Sequence, residues 1–255
     1  MPTPLSVTII TCNAAALIRQ CLESVSWADE IVIVDSGSSD QTLTIAREFT
    51  QNVIHNPWPG YGAQKQFAVS QARHDWILSL DADEWLSNEL AINIRNLMNG
   101  TPDQQAYTCN RRNRFMGRWL RHGEGYPDIS LRLFDRRHAH WGHDEIHERV
   151  ILAGTAGHLR GDLMHESEQG LANYLDKQNC YTSLQAKALH AQGKRATIGH
   201  LLLSPGLRFI KFYVLRRGFM DGLPGLVHIL IGCFNSFMKY AKLLDLQLKH
   251  PRRSS

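Results

Sequence analysis

Residues 5–11, Leu-Ser-Val-Thr-Ile-Ile-Thr, form a β-branched run that predicts a strand. The stretch 14–27 then places Leu17, Cys21, Leu22 and Val25 at helical spacing. A short apolar run at 30–34 ends on Asp35, and Ser38-Ser39-Asp40 reads as a helix start ahead of Leu43, Ile45, Ala46 and Phe49. A third strand is expected at 53–55. A Pro/Gly loop over 56–62 leads into a helix at 63–72, and a fourth strand follows at 76–80. Strand–helix alternation with short links predicts an α/β fold, with a parallel sheet covered by helices on both faces. Between 106 and 165 the helical pattern fades. Strands are expected at 106–110, 129–134, 149–152 and 158–164, and a helix returns over 171–192 with Gly193 as its stop.

Ligands of such sheets bind at the carboxyl ends of the strands. Those ends carry Thr11 and Asn13, then Asp35, then Asp81 and Asp83. Asp81 and Asp83 are one residue apart, which in extended chain puts both carboxylates on the same side. Two close carboxylates repel unless a cation sits between them. Mg²⁺ favours one or two carboxylates plus phosphate oxygens, so the pair suggests a metal holding a diphosphate. The plainer alternative is an acidic loop capping the helix that starts near Ser87, with Asp35 a turn former before Gly37 and Asn13 a helix cap. No G-x-G-x-x-G follows the first strand, and no Gly-Lys-Ser/Thr follows the segment 35–40. A glycine-rich phosphate cradle is therefore not expected, and the metal inherits that task.

Composition narrows the class. The 255 residues, 43% hydrophobic and 20% charged, can bury a full core. Five scattered cysteines without a C-x-x-C pair point to reduced thiols in a cytosolic chain. Met-Pro-Thr-Pro runs straight into a strand without a basic, apolar leader, so no secretory signal is expected. The net charge of +4 is uneven: 205–255 holds nine Lys/Arg against Asp221 and Asp245, a balance of +7, which leaves 1–204 at −3. A mildly acidic body with a basic, apolar tail suggests an anionic surface as partner.

Three segments carry a likeness: Thr8 to Asn13 before a helix, Ile31-Val32-Ile33-Val34-Asp35-Ser36-Gly37-Ser38-Ser39-Asp40, and Leu80-Asp81-Ala82-Asp83-Glu84. Together they resemble the family 2 glycosyltransferases of the GT-A fold. The blocks Tyr126-Pro127-Asp128, Leu131-Arg132-Leu133-Phe134, His147-Glu148-Arg149-Val150 and Gly218-Phe219-Met220-Asp221-Gly222 resemble a bacterial subgroup. These are the lipopolysaccharide inner-core β-1,4-glucosyltransferases, which add glucose to a heptose. The resemblance implies a domain over 1–204, with a nucleotide-binding half at 1–100 and an acceptor half at 101–204, and a basic amphipathic helical tail at 205–255. It implies that Asp35 contacts the nucleotide base, that Asp81 lies near the ribose, and that Asp83, with Asp81 beside it, holds Mg²⁺ or Mn²⁺ on a UDP-sugar. Thr11 and Asn13 would border the nucleotide pocket. Lys65 would reach the nucleotide or diphosphate, or else be a solvated surface lysine.

Inverting transfer needs a base for the acceptor hydroxyl. Candidates are Asp128, Asp144, Glu145 and Glu148. Glu148, directly ahead of a late strand, fits the family's placement best, with Asp128 and Asp144 behind it. His143 and His147 are four apart but do not form H-E-x-x-H, and His165 is a weaker ligand candidate. Arg111, Arg112, Arg114, Arg118 and Arg121 suit an anionic acceptor, or else form a solvated face. The segment 222–238 lacks charged side chains but contains Pro224 and three glycines, too short and broken for a spanning helix. With its aromatic and basic flanks it is expected to lie on the cytoplasmic face of the inner membrane, or to pack as a helical cap. Partners are then a nucleotide sugar, an anionic lipid-linked saccharide and the membrane surface. Two further classes compete: a hydrolase using paired carboxylates, and a nucleic-acid binder, which leaves the strand-end carboxylates unexplained.

Overall fold

The structure is a computed structural model and describes residues 2–142, 148–166 and 170–249. Chain order is β1 (Leu5–Thr11), α1 (Ile18–Val25), β2 (Glu30–Asp35), α2 (Thr42–Ala46), β3 (Val53–His55), α3 (Tyr61–Gln71), β4 (Trp76–Asp81), β5 (Glu84–Leu86), α4 (Asn88–Asn99), β6 (Ala106–Phe115) and β7 (Arg118–Trp119). Then come β8 (Asp128–Asp135), β9 (Ala139–Trp141), β10 (Val150–Leu152), β11 (Gly157–His165), α5 (Leu171–Ala191), α6 (Ile198–Phe209) and α7 (Gly222–Lys249). A π-helical segment (Ile210–Leu215) and a 3-10 turn (Gly218–Asp221) separate α6 from α7.

The chain divides into two compact units, 1–112 with 128–166, and 113–127 with 167–255. The boundary expected at 204 falls inside α6, and α5 groups with the C-terminal helices.

In the first unit the strand order is β3-β2-β1-β4-β8-β6-β11-β5. β1 pairs in parallel with β2 and β4, and β2 in parallel with β3. β8 then runs antiparallel to β4, β6 antiparallel to β8, and β5 antiparallel to β11. The sheet is therefore mixed. It becomes antiparallel where the helical pattern between strands is lost, since parallel strands need long crossovers and antiparallel ones do not. Alternate residues serve opposite faces. Val7, Ile9, Ile31, Ile33, Leu78 and Leu80 pack with Ile18, Leu22 and Val25 of α1 and Leu90 and Ile94 of α4. Ile10, Val32, Val34 and Ile77 pack with Ala68, Val69 and Ala72 on the other face. Burial on both faces explains why these strands read as continuous apolar runs.

Several elements differ from the periodicity. The helix expected over 14–27 narrows to α1, because Asn13 takes a left-handed φ of 50° and the chain turns before the helix begins. α2 is short. Its start signal works through Asp40, whose Oδ1 accepts the Thr42 N–H at 2.9 Å. β5, β7 and β9 are too short for an alternation to register. Ser87 caps α4 by accepting the Leu90 N–H at 3.3 Å.

Gly161 of β11 sits at φ +94°, and a Cβ there would lie 2.4 Å from Leu90 N and 2.8 Å from its Cα. The atoms in the way are backbone of α4, which cannot yield as a flexible side chain would. Gly161→Ala is expected to destabilise by about 2 kcal/mol or more through combined overpacking and strain; urea unfolding checks this.

In the second unit, Asp221 is buried and its Oδ2 accepts the N–H groups of Arg121 (2.9 Å) and His122 (2.8 Å). α7 is one continuous helix, although 222–238 reads as broken. Pro224 is tolerated because it lies in the first turn, where the missing donor costs nothing. Gly232 allows close approach: a Cβ there would meet the Glu124 carboxylate.

Candidate active site

Three adjacent strands of the first unit end together. In register, Thr11 lies opposite Asp35 and Ile10 opposite Asp81. Thr11 is buried, and its Oγ1 finds no hydrogen-bond partner among the described residues. A buried hydroxyl at a strand's carboxyl end is costly unless a ligand completes it. Asn13 is exposed, and its Oδ1 accepts the Ser39 N–H at 2.8 Å, so it also shapes the loop after β2. Asp35 does the same: Oδ2 accepts from Gly37 N (2.8 Å) and Ser38 N (2.9 Å), and Oδ1 from Ser38 Oγ (2.5 Å). The turn-forming role of Asp35 is thus present, and these bonds use three of its roughly four acceptor positions.

Asp81, at the end of β4, is held by two cations. Lys65 Nζ lies 2.9 Å from Oδ1 and 3.0 Å from Oδ2, and Arg132 Nη2 lies 3.2 Å from Oδ2. Burial works against the Asp81 carboxylate, but the fields of Lys65 and then Arg132 override it and hold the group well below the ordinary carboxylate range. Lys65 is wholly buried and not a surface lysine. It lies on the inner stripe of α3 with Ala68 and Val69, its ammonium 4.7 Å from the Trp141 ring. The same Nζ reaches Glu148 Oε1 at 3.2 Å, so one lysine joins Asp81 to Glu148. Glu84, also wholly buried, receives Arg132 Nη2 at 2.6 Å, and it accepts the Asp81 N–H at 3.1 Å, which fixes the turn after β4.

That turn leads directly into β5. Because β5 pairs with β11, His165 at the end of β11 arrives beside Asp83, Nε2 to Oδ2 at 3.5 Å. The pair is partly exposed, with side chains 23% and 34% accessible. No cluster of three or more metal-ligating side chains occurs among the described residues. A cation held mainly by diphosphate oxygens does not need one. Charge supports the same fit. Asp81, Asp83, Glu84, Asp128 and Glu148 are five carboxylates, and the cations paired with them are Lys65, Arg111 and Arg132, with His165 beside Asp83. The Asp83 carboxylate therefore suits a divalent ion, with His165 at its side, while Asp81 already has Lys65 and Arg132 against it.

The carboxylates considered as base separate by their partners. Glu148 is raised above the ordinary glutamate value, first by burial and then by the nearby Asp81 charge, with Lys65 opposing. Asp128 is held by Arg111 through Nε (2.9 Å) and Nη2 (2.8 Å). Asp144, Glu145, His143 and His147 lie outside the described residues. The arginine cluster is not a uniform solvated face. Arg111 pairs with Asp128 and Glu84, Arg112 Nη2 lies 2.5 Å from Asp162, and Arg118 donates to the Met220 carbonyl at 3.0 Å.

Sequence patterns alone missed the parts played by Arg132, Glu84 and Trp141. A signal existed for two of them. Arg132 interrupts an apolar strand between Leu131 and Leu133, and Glu84 follows the acidic pair directly. Charges in such positions are buried only when paired. Trp141 carried no signal, since β9 has no readable alternation.

The model of the family described as "Glycosyl transferase family 2" matches residues 6–152. The Rickettsia prowazekii protein named "Uncharacterized glycosyltransferase RP128" is 32% identical over 266 residues, covering 96% of this chain and 88% of its own length. The "Lipopolysaccharide core biosynthesis glycosyltransferase LpsC" of Rhizobium meliloti is 29% identical over 260 residues, covering 94% and 92%. Among solved structures, Mycobacterium tuberculosis glucosyl-3-phosphoglycerate synthase in complex with Mn²⁺ and UDP-glucose aligns at a TM-score of 0.37 and 20% identity, over 44% of each chain.

Proposed function

The chain belongs to glycosyl transferase family 2, and we propose that it moves a hexose, glucose, from a UDP-sugar to a heptose of the lipopolysaccharide inner core, inverting the anomeric centre. The relative named for lipopolysaccharide core biosynthesis, aligned over nearly its whole length, supports the acceptor class. One juxtaposition supports the chemistry: an ionised Asp81 and a partly exposed Glu148 meet across the buried Lys65 at the end of β4, beside Asp83.

Thr11, Asn13 and Asp35 border the nucleotide, and Asp81, kept ionised by Lys65 and Arg132, receives ribose or sugar hydroxyls. Asp83 and His165 would hold Mg²⁺ or Mn²⁺, which when bound would supply positive charge to offset the departing diphosphate. Glu148 takes the proton of the acceptor hydroxyl. That oxygen forms its bond to the anomeric carbon from the face opposite the leaving group, and the electron pair of the broken bond leaves on UDP. An acceptor embedded in lipid puts the enzyme at the cytoplasmic face of the inner membrane.

The test is thermal unfolding with UDP and Mn²⁺, with and without chelator, followed by a donor screen on truncated lipopolysaccharide with mass spectrometry of the product. At a hundredfold excess over Kd, binding adds about 2.7 kcal/mol, or roughly 5–10 °C for a chain of this size. The gain is expected to require both UDP and metal, and to disappear in Asp83→Asn while the ligand-free midpoint stays within about 2 °C. A gain indifferent to chelator would remove the metal, and a product formed with water alone would favour a hydrolase.

A further inference from the structure

In the second unit the apolar side chains largely face outward. Among its described residues the buried apolar side chains are Leu120, Ala186, Ala196, Ile229, Cys233 and Leu243, and α6 buries none. Leu203, Leu207, Ile210 and Val214 recur at intervals of four, three and four residues, and each is 52–65% exposed. Ile198 and Leu202, at 73% and 68%, extend the stripe towards the start of α6. A stripe at this spacing is one helix face, and so large an exposed apolar patch marks an interaction surface.

Charge selects the partner. Residues 177–220 hold eight Lys/Arg and no Asp or Glu. Lys211, Arg216 and Arg217 are exposed beside the stripe. A second copy of this chain would set like charges against each other, whereas anionic headgroups complement them. Insertion across the bilayer fits less well. Ile198–Leu215 is 18 residues long and contains Pro205, Lys211 and an Arg208 paired with Glu124. Spanning needs about 20 apolar residues, and charges at the bilayer centre are costly. We propose that the stripe of α6 and the following π-helical segment lies in the interface of a bilayer rich in anionic lipid, with Lys211, Arg216 and Arg217 at headgroup level. The proposal rests on the lipid-linked acceptor reading, gives it a physical surface, and centres the membrane contact on α6 and the upstream flank of the segment 222–238.

The test is flotation of the full chain with phosphatidylethanolamine–phosphatidylglycerol vesicles and with phosphatidylcholine vesicles. Partition is expected to be at least tenfold stronger for the anionic vesicles. It is expected to fall at least tenfold in Leu203→Gln/Leu207→Gln/Val214→Gln and in Lys211→Glu/Arg216→Glu. UDP–Mn²⁺ stabilisation should be unchanged in both variants, which separates this proposal from the transfer reading and reports folding. Equal binding to both vesicle types overturns the proposal, as does unchanged binding by the variants. So does a lipid-free dimer that the apolar variant dissociates, or resistance of the wild type to alkaline carbonate extraction.

Discussion

Glu148→Gln is expected to lower transfer by roughly 100- to 10,000-fold, the range that a positioned general base contributes, while UDP–Mn²⁺ stabilisation persists. Glutamine keeps the size of the side chain and an acceptor for Lys65 Nζ, now 3.2 Å from Oε1, but it cannot take a proton. The competing carboxylate is less suited. Asp128 is engaged through Oδ2 by two Arg111 nitrogens, which tie the side chain to that guanidinium. Asp128→Asn should therefore cost much less than Glu148→Gln. The pH profile carries the same information. Burial and Asp81 raise the Glu148 carboxyl above its ordinary value, so the acid limb of kcat/KM is expected above the usual glutamate range of about 4.3. Activity falls as pH drops through that limb, because protonation removes the base. Near-normal turnover by Glu148→Gln would dismiss it as the base.

The parallel half of the fold was legible because its signals are local and repeated. A β-branched run, a 3.6-period stripe and a polar strand end recur in turn, and each agrees with the next. The shared edge of Thr11, Asp35 and Asp81 follows from that alternation alone, since parallel strands bring their carboxyl ends to one side. The antiparallel half was less legible. Its pairing brings His165 beside Asp83 and Arg132 beside Asp81 across long separations, and no local pattern encodes which strand will neighbour which. Lys65 shows how a residue can be legible yet misread. Its position between Gly62 and Ala68 put it on the inner stripe of α3, but lysines are so seldom buried that the surface alternative carried weight. The partner that makes its burial tolerable, Asp81, lies sixteen residues along the chain, and its other partner, Glu148, lies eighty-three. The second unit inverted the expectation in another way. Pro224 and the glycines read as breaks, but the proline falls where a helix tolerates it and Gly232 provides room for the Glu124 carboxylate.

Lys65→Met is expected to destabilise by about 3–5 kcal/mol, the cost of removing one partner from a buried ion pair, which is roughly 6–20 °C in the midpoint. The lower part of that range applies, because Asp81 keeps Arg132 at 3.2 Å. The variant should also show a distinct pH response. In the wild type, Asp81 is depressed, so its stabilising contribution is present above the unfolded carboxylate value and is lost only as pH falls through the lower folded value. Glu148 is raised, so its contribution has the opposite sign and is lost as pH rises through the folded value. Without the lysine both carboxyls move upward and both take up protons more readily. The deficit of Lys65→Met is therefore expected to be greatest near neutrality and to narrow as pH falls towards 4, about the ordinary carboxylate range. Asp81→Asn added to Lys65→Met should recover part of the loss, with a coupling of about 0.5–3 kcal/mol in the double-mutant cycle. Lys65→Arg is not expected to rescue, because a wholly buried site offers no space for the larger guanidinium. A Lys65→Met midpoint within about 0.5 kcal/mol of wild type, the range of an ordinary surface substitution, would refute the buried bridge and with it the coupling of Asp81 to Glu148.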